Sequence, residues 1–145
     1  MASSLLEDYV CFALYSASHA TSKAYRGVLA PWKLTYTQYL ALVLLADGDR
    51  SVSELGADLD LDSGTLSPLL KRLEERGLVA RRREARDERV VTVMLTDEGR
   101  TVQTQAADAV GCLAPAFVGD GDFRRLIAQL NDLTQAMRAI DAPTA

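Results

Sequence analysis

The spacing of apolar residues predicts a chain built mostly from helices. Apolar side chains recur every three or four residues over 4–30, and Pro31 ends that stretch. A second helix is expected to open at the capping-box sequence TYTQ, which begins at Thr35, and to run to Gly48. The sequence SVSE at 51–54 is a second capping box and predicts a short third helix.

The next predicted helix contains a proline, which leaves its start open. Asp62 or Ser63 caps a helix that runs through LSPLLKRLEERG and ends at Gly77. If Thr65 is the N-cap, Pro68 lies in the first turn, where its missing N–H costs little. A start at Ser63 instead removes one hydrogen bond from the helix.

After Gly77 the pattern becomes typical of β-structure. The segments LVARRRE and RVVTVML, joined by a polar turn at 85–88, predict a β-hairpin. Thr96 then caps a helix that breaks near Pro115, and a loop at 119–121 precedes a final amphipathic helix. The predicted fold is mainly α with a small β-hairpin wing, because a short helix, a turn, a second helix and a hairpin make a winged helix-turn-helix.

Composition indicates a folded, soluble chain. Its 145 residues fit one domain over 1–145, and 48% apolar with 25% charged residues is too apolar for disorder. No apolar run reaches the ~18 residues of a membrane span, and the start lacks the basic stretch of a signal peptide, so we expect a cytoplasmic protein without membrane contact. Two cysteines 101 residues apart and a single histidine exclude a disulfide scaffold and an ordinary zinc cluster, so no metal and no cofactor is predicted.

Charge is concentrated in one stretch of the chain. The net charge of −4 argues weakly against a nucleic-acid partner, but residues 71–89 contain eight basic and five acidic side chains. Half of all the basic residues therefore lie on the recognition helix and the wing, which favours double-stranded DNA over the alternative of a structural bundle with a solvated ribbon. The candidate DNA contacts are Ser63, Thr65 and Ser67 at the start of the helix, Lys71 and Arg72 nearer the backbone, and Arg86, Asp87 and Arg89 on the wing.

The segment SELGADLDLDSGTLSPLLKRLEERGLVARRREARDERVVTVMLTDEGR resembles the winged-helix core of the multiple antibiotic resistance regulator (MarR) family. The resemblance implies a DNA-binding core at about 35–100 and dimerisation helices at 4–30 and 97–141. It also implies a homodimer that binds a palindromic operator. The wide apolar stripes of the first and last helices independently require a partner.

The segment CFALYSASHATSKAYRGVLAPWKLTYTQYLALVLL resembles the organic-hydroperoxide-sensing branch of that family. The resemblance implies that Cys11 is the peroxide sensor and that Tyr25 and Tyr36 donate hydrogen bonds to its sulfur. Attack on a peroxide requires a thiolate, which phenol donors favour without adding a charge. From residue spacing alone, Cys11 would be interpreted as a small buried core residue, and it is the flanking motif that favours the sensor. We expect an apolar pocket that accepts an organic hydroperoxide, lined by Phe12, Tyr15 and Trp32.

The resemblance leaves two roles open for the second cysteine, Cys112. Within this branch a C-terminal cysteine resolves the sulfenic acid as an intersubunit disulfide, or a small thiol caps it and Cys112 is a bystander. The lone His19 is assigned no role.

The predicted function is that of a repressor, not an enzyme. Reduced protein occupies an operator, and oxidation of Cys11 by an organic hydroperoxide, the inducer, releases it. One alternative is a MarR-type regulator in which a non-covalently bound aromatic or phenolic effector acts and Cys11 is inert. A more distant alternative is a thiol peroxidase that uses Cys11 and Cys112.

Overall fold

The computed structural model describes residues 6, 8–117 and 123–141, which form two compact units divided after Gly111. The first unit contains five helices and three strands within its described residues: α1 (Val10–Leu29), α2 (Tyr36–Asp47), β1 (Arg50–Ser51), α3 (Val52–Leu59), α4 (Ser63–Glu75), β2 (Val79–Arg83), β3 (Val91–Leu95) and α5 (Asp97–Val110). The described part of the second unit contains α6 (Ala114–Phe117) and α7 (Phe123–Asp141). This order confirms the mainly helical fold with a β-hairpin wing.

The first helix begins later than its apolar pattern predicts. Helix α1 starts at Val10, and Leu6 and Asp8 lie in turns before it. Residues 4, 5 and 7 of the predicted start lie outside the described residues. Leu29 ends α1, and Pro31 occupies the short 3₁₀ turn that follows. Tyr9, the N-cap residue, makes no side-chain capping hydrogen bond. The sequence therefore contains no capping signal at this position, and apolar spacing alone does not fix where a helix begins.

Both predicted capping boxes are present. The hydroxyl of Thr35 accepts from the N–H of Gln38 at 3.2 Å, and the Gln38 side-chain oxygen accepts from the Thr35 N–H at 3.0 Å. Ser51 and Glu54 make the same reciprocal pair at 3.1 and 2.7 Å. These bonds satisfy donors that would otherwise lack partners at the starts of α2 and α3.

The start of α4 is decided by Asp62. Its carboxylate accepts from the Thr65 N–H at 2.8 Å, so the helix opens at Ser63 and Pro68 lies beyond its first turn. Since proline has no N–H, the carbonyl of Gly64 loses its helical partner. The alternative start at Thr65 is therefore wrong.

The predicted hairpin belongs to a three-stranded sheet with the order β1–β3–β2. Strands β2 and β3 pair antiparallel from Val79 opposite Leu95 to Arg83 opposite Val91. On the other edge, Arg50 of β1 lies opposite Val93. The sequence did not predict β1, because a strand of two residues has no alternating pattern to detect.

The core of the first unit lies between the helices and this sheet. The fully buried large side chains are nearly all leucines: Leu29, Leu42, Leu45, Leu55, Leu66, Leu70, Leu73, Leu78 and Val93. The base of the wing is closed against α5, where the Thr96 hydroxyl donates to the Gly77 carbonyl at 2.6 Å. A Cβ atom at Gly99 would lie 1.9 Å from the Leu78 carbonyl oxygen, so only glycine fits there. The wing is thus fixed at its base.

The later helices differ from prediction in one detail. The break after α5 falls at the 3₁₀ turn Gly111–Leu113, before Pro115. The predicted loop at 119–121 lies outside the described residues, and the final amphipathic helix is present as α7. None of the described helices is long and apolar enough to cross a membrane.

Candidate nucleic-acid interface and thiol site

Helix α4 presents a continuous polar face to solvent. Its buried side is formed by four leucines, Leu66, Leu69, Leu70 and Leu73, which anchor it in the core. The predicted contacts Ser63, Thr65, Ser67, Lys71 and Arg72 are all exposed. The helix is therefore held by one face and leaves the other available for a groove of DNA.

The predicted serine and threonine contacts do not share one flank of α4. At about 100° per residue, Ser63 and Ser67 lie within roughly 40° of each other, while Thr65 is turned by about 160° from both. Thr65 instead shares its flank with Arg72, and Ser67 faces the wing. Pro68, which the sequence reading did not select, lies between the two flanks and is exposed. The division follows from the spacing of these residues along one continuous helix, Ser63–Glu75, whose leucine face is buried.

One arginine of the wing, Arg81, forms an ion pair within the protein. The Arg81 guanidinium donates from Nε to the Glu74 carboxylate at 3.0 Å and also from Nη2. This hydrogen bonding raises the pKa of Arg81 and lowers the pKa of Glu74. Arg81 therefore ties strand β2 to helix α4, and its charge is already matched.

The remaining wing arginines fall into two groups. Arg83 donates to the Glu88 carbonyl at 3.1 Å, and Arg82 lies 3.8 Å from the Glu84 carboxylate, so both shape the wing itself. Among the arginines of α4 and the wing, three guanidinium groups make no hydrogen bond or ion pair with the described residues, namely those of Arg72, Arg86 and Arg89. These three are the free positive charges of the interface.

Asp87 shapes the tip of the wing through the backbone. Its carboxylate accepts from the Arg89 N–H at 3.0 Å, and its carbonyl accepts from the Val90 N–H at 3.0 Å. The contact is to the main chain of Arg89, so Asp87 fixes the turn from which the Arg89 side chain projects. A pocket with a volume of about 470 Å³ lies between the wing and the helices, and its lining includes Arg89, Arg81 and Ser67.

The thiol site is divided between two places in a single chain. The Tyr25 and Tyr36 rings lie with centroids 4.4 Å apart, so the two predicted tyrosines are brought together. Cys11 and Tyr25 are both on α1, fourteen residues apart, which corresponds to about 21 Å of helix. The sulfur and the phenols of one chain therefore do not meet. Cys11 is exposed, so it is not a core residue of the first unit.

The tyrosine pair is suited to donating hydrogen bonds. Burial, and to a smaller extent the neighbouring Tyr25, raises the pKa of Tyr36. Tyr39, 6.4 Å from Tyr25, has a pKa raised for the same reasons. The Tyr36 phenol thus remains protonated at neutral pH, and its side chain is still 42% exposed.

The aromatic pocket predicted around Cys11 is not assembled in one chain. Phe12 and Tyr15 lie beside Cys11 with ring centroids 6.2 Å apart, but Trp32 lies beyond the other end of α1 and donates to Gln105 at 3.1 Å. Cys112 is exposed in the second unit. In the part of the chain that is described, no group of three or more histidine, cysteine, aspartate or glutamate side chains could hold a metal ion.

Comparison with known proteins places this geometry among transcriptional regulators. The family model "Transcriptional regulator SarA/Rot" matches residues 23–105. The organic hydroperoxide resistance transcriptional regulator of Bacillus subtilis is 39% identical over 134 residues, which cover 91% of each chain. The regulator TtmR of Methylorubrum extorquens is 54% identical over 96 residues, 66% of this chain, and the match spans only 49% of TtmR.

Solved structures agree with the sequence relatives. Reduced AbfR bound to DNA, a protein of Staphylococcus epidermidis, superposes with a TM-score of 0.78 at 30% identity, covering 93% of this chain and 94% of AbfR. AbfR has also been solved overoxidised and bound to DNA, and with a disulfide formed; these structures superpose with TM-scores of 0.77 and 0.70. The capped recognition helix, the arginine-bearing wing and these matches together show that the chain is a winged-helix transcriptional regulator of the SarA/Rot and MarR type, homologous to the organic hydroperoxide resistance regulator.

Proposed function

We propose that this protein is a homodimeric repressor that binds a palindromic operator and senses organic hydroperoxides through Cys11. The observation that carries the proposal is the arrangement on α1. A tyrosine pair is assembled about 21 Å along the same helix from the thiol. A second chain running antiparallel brings its own pair to this Cys11 and completes two equivalent sites.

The exposed face of α1 supports such an antiparallel pairing. Its first half carries Phe12 and Tyr15, which are 38% and 59% exposed, and its second half carries Lys23 and Arg26. These residues are spaced symmetrically around His19. Pairing about a two-fold axis near His19 sets each aromatic half against a basic half, and cations over aromatic rings attract.

Exposed apolar side chains on α1 and α7 support the same homodimeric assembly. Tyr9, Val10, Phe12 and Tyr15 of α1 are exposed in the single chain. In the second unit, α7 exposes Leu126, Ile127, Leu130, Met137 and Ile140. Exposed apolar faces of this extent are covered by a partner in a soluble regulator.

The chemistry proposed at Cys11 is a two-electron oxidation. The thiolate attacks the distal oxygen of an organic hydroperoxide, the O–O bond breaks, and the departing alkoxide takes a proton and leaves as an alcohol. Cys11 becomes a sulfenic acid. The partner's Cys112 thiol then attacks that sulfur and releases water, which leaves an intersubunit disulfide; without Cys112, a small thiol performs the same step.

Loss of the thiolate is the local event that releases DNA. A sulfenic acid or a disulfide is neutral and bulkier than a thiolate, so the charge-assisted bonds from Tyr25 and Tyr36 are lost. A sulfinate or sulfonate keeps a negative charge and still accepts such bonds. This distinction fits AbfR, which has been solved on DNA both reduced and overoxidised.

DNA binding is proposed to use α4 and the wing together. The exposed face of α4 enters the major groove, and the free guanidinium groups of Arg72, Arg86 and Arg89 contact the backbone or the adjacent minor groove. Two recognition helices about 34 Å apart match successive major grooves. Oxidation changes that spacing, and the operator is released.

The decisive experiment is an operator gel shift with and without cumene hydroperoxide, on wild type, Cys11→Ser and Cys112→Ser. We expect peroxide to release wild-type protein and leave Cys11→Ser bound. Release of Cys11→Ser would favour a non-covalent effector, and catalytic peroxide consumption without operator binding would favour a thiol peroxidase. Non-reducing electrophoresis then separates the two fates of the sulfenic acid, because Cys112→Ser forms no covalent dimer if Cys112 resolves it.

The proposed dimer has its own test. In a background with both native cysteines replaced by serine, His19→Cys places one thiol near the two-fold axis and should form a disulfide dimer on mild oxidation. Ala17→Cys, exposed and on nearly the opposite face of α1, is the matched control and should remain monomeric in denaturing gels. Equal cross-linking of the two variants, or a monomer by light scattering, would contradict the antiparallel pairing.

A further inference from the structure

Arg76 links the end of the recognition helix to a distant part of the chain. It caps the C-terminus of α4, and its guanidinium donates from Nη1 to the Lys33 carbonyl at 3.0 Å and from Nη2 to the Trp32 carbonyl. Both acceptors belong to the connector, which we define as residues 30–35 between α1 and α2. The contact therefore spans more than forty residues of sequence.

The end of α4 does not need this side chain as a cap. The Gly77 N–H bonds to the Glu74 carbonyl at 2.9 Å, and the Leu78 N–H bonds to the Leu73 carbonyl at 3.0 Å. Gly77 has a φ of 70°, the left-handed conformation that glycine adopts readily at the end of a helix. Since the backbone already satisfies the helix terminus, the Arg76 guanidinium serves the connector.

The connector itself is tightly held. Lys33 adopts a left-handed φ of 52°, and its N–H bonds to the Ala30 carbonyl at 3.0 Å. The Trp32 indole also donates to the Gln105 side chain of α5 at 3.1 Å. A segment with this many fixed bonds moves as a unit.

The connector lies between the two helices that carry the tyrosine pair, and Arg76 ties it to the end of the recognition helix. Tyr25 lies one turn before the end of α1, and Tyr36 is the first residue of α2. Any change in the distance between these two rings, which contact each other at a tilt, shifts the two helix ends that the connector joins. Two adjacent carbonyls of the connector are bound by Arg76, so such a shift pulls on the end of α4.

We propose that Arg76 is the positioning residue that couples the tyrosine pair to the orientation of the recognition helix. The inference rests on the proposed redox function, and it concerns transmission of the signal, not its detection. Cutting this link leaves Cys11 able to react and α4 able to bind DNA, but it weakens the dependence of one on the other. Coupling between sites is measured as the ratio of affinities in the two states.

The experiment compares Arg76→Ala with wild type, using operator affinity in the reduced and the peroxide-oxidised state and the rate of Cys11 oxidation. We expect the variant to oxidise at the wild-type rate and to bind operator when reduced within about threefold of wild type. The ratio of oxidised to reduced Kd should fall by roughly tenfold or more, within the range of ordinary allosteric couplings. Arg76→Lys, which retains a cation but not the two-pronged donor, should give an intermediate ratio.

Arg72→Ala is the matched control, because it removes an exposed arginine one turn away on the same helix. It should weaken binding equally in both states and leave the ratio unchanged. The inference is overturned if Arg76→Ala and Arg76→Lys keep the wild-type ratio, or if affinity falls equally in both states, as it does when a residue is only structural. A wild-type protein that ignores peroxide contradicts the proposed function, a result that differs from a responsive wild type with an equally responsive Arg76→Ala.

Discussion

Replacing Arg89 by glutamine tests the division of the wing arginines into free and paired charges. Arg89 makes no side-chain hydrogen bond or ion pair within the described residues, and it lines the pocket beside Ser67. A cation that neutralises one phosphate contributes about 0.9 to the slope of log affinity against log salt. Arg89→Gln should therefore flatten that slope by about 0.9. Between 50 and 200 mM salt, its affinity should fall by roughly three- to fourfold less than that of wild type.

The matched control keeps the net charge of the protein. Arg81 of the wing is bound to Glu74 of α4, so the double variant Arg81→Gln/Glu74→Gln removes one positive and one negative charge from the same ion pair. Because the Arg81 charge is already matched in the folded protein, we expect the double variant to retain the wild-type salt slope. Its thermal stability should fall slightly, since the link between β2 and α4 is weakened.

Fluorescence anisotropy with a labelled operator duplex, repeated at four salt concentrations, measures both slopes. Parallel lines for Arg89→Gln and wild type would contradict the assignment of a phosphate to Arg89. A slope for the double variant that is flatter than that of wild type would show that the Glu74 pairing does not withhold Arg81 from DNA.

Three further outcomes follow from the geometry. Tyr25→Phe and Tyr36→Phe should each slow oxidation by organic hydroperoxide about tenfold or more, because a bond to a charged acceptor contributes ~1.5–3 kcal/mol, while reduced protein keeps its operator affinity. Gly99→Ala should lower the free energy of unfolding in urea by about 1–3 kcal/mol, because its Cβ would overlap the Leu78 carbonyl. Glu74→Gln should lower the melting temperature at neutral pH but not in acid. The pKa of Glu74 is lowered by its bond from Arg81, so the pair stabilises the fold above the unfolded value of 4.5 and loses this contribution as pH falls through the folded value.

Each of these variants has a neighbour that serves as its control. Tyr39→Phe leaves the Tyr25–Tyr36 pair intact and should oxidise at the wild-type rate. Gly111→Ala meets nothing within 4 Å and should be close to neutral. Glu75→Gln loses only an exposed 3.9 Å contact with Lys71 and should show little pH-dependent difference. Wild-type oxidation rates in both tyrosine variants, full stability of Gly99→Ala, or a Glu74→Gln deficit that persists in acid would contradict the respective argument.

The sequence by itself determined the features that depend on neighbouring residues. Both capping boxes, the glycine end of α4 and the hairpin of the wing are each specified by bonds or side-chain patterns within a few residues. Short sequence motifs likewise identified the winged-helix family. They also marked Cys11, Tyr25 and Tyr36 as candidate site residues. Such signals survive without tertiary context, because both partners of each interaction lie in the same short segment.

Contacts between distant segments were decided only by the tertiary structure. Strand β1, the Arg81 pairing and the link from Arg76 to the connector join residues that no local pattern relates. Arg81 and Arg89 look alike in the sequence, yet packing pairs the Arg81 guanidinium with the Glu74 carboxylate, whereas the Asp87 carboxylate accepts only from the Arg89 main chain. The separation of Cys11 from the tyrosine pair likewise follows from the rigid rise of α1, which places residues fourteen positions apart about 21 Å from each other. A sequence states which side chains are present, whereas their charges and hydrogen bonds are assigned only when folding brings distant segments within a few ångströms.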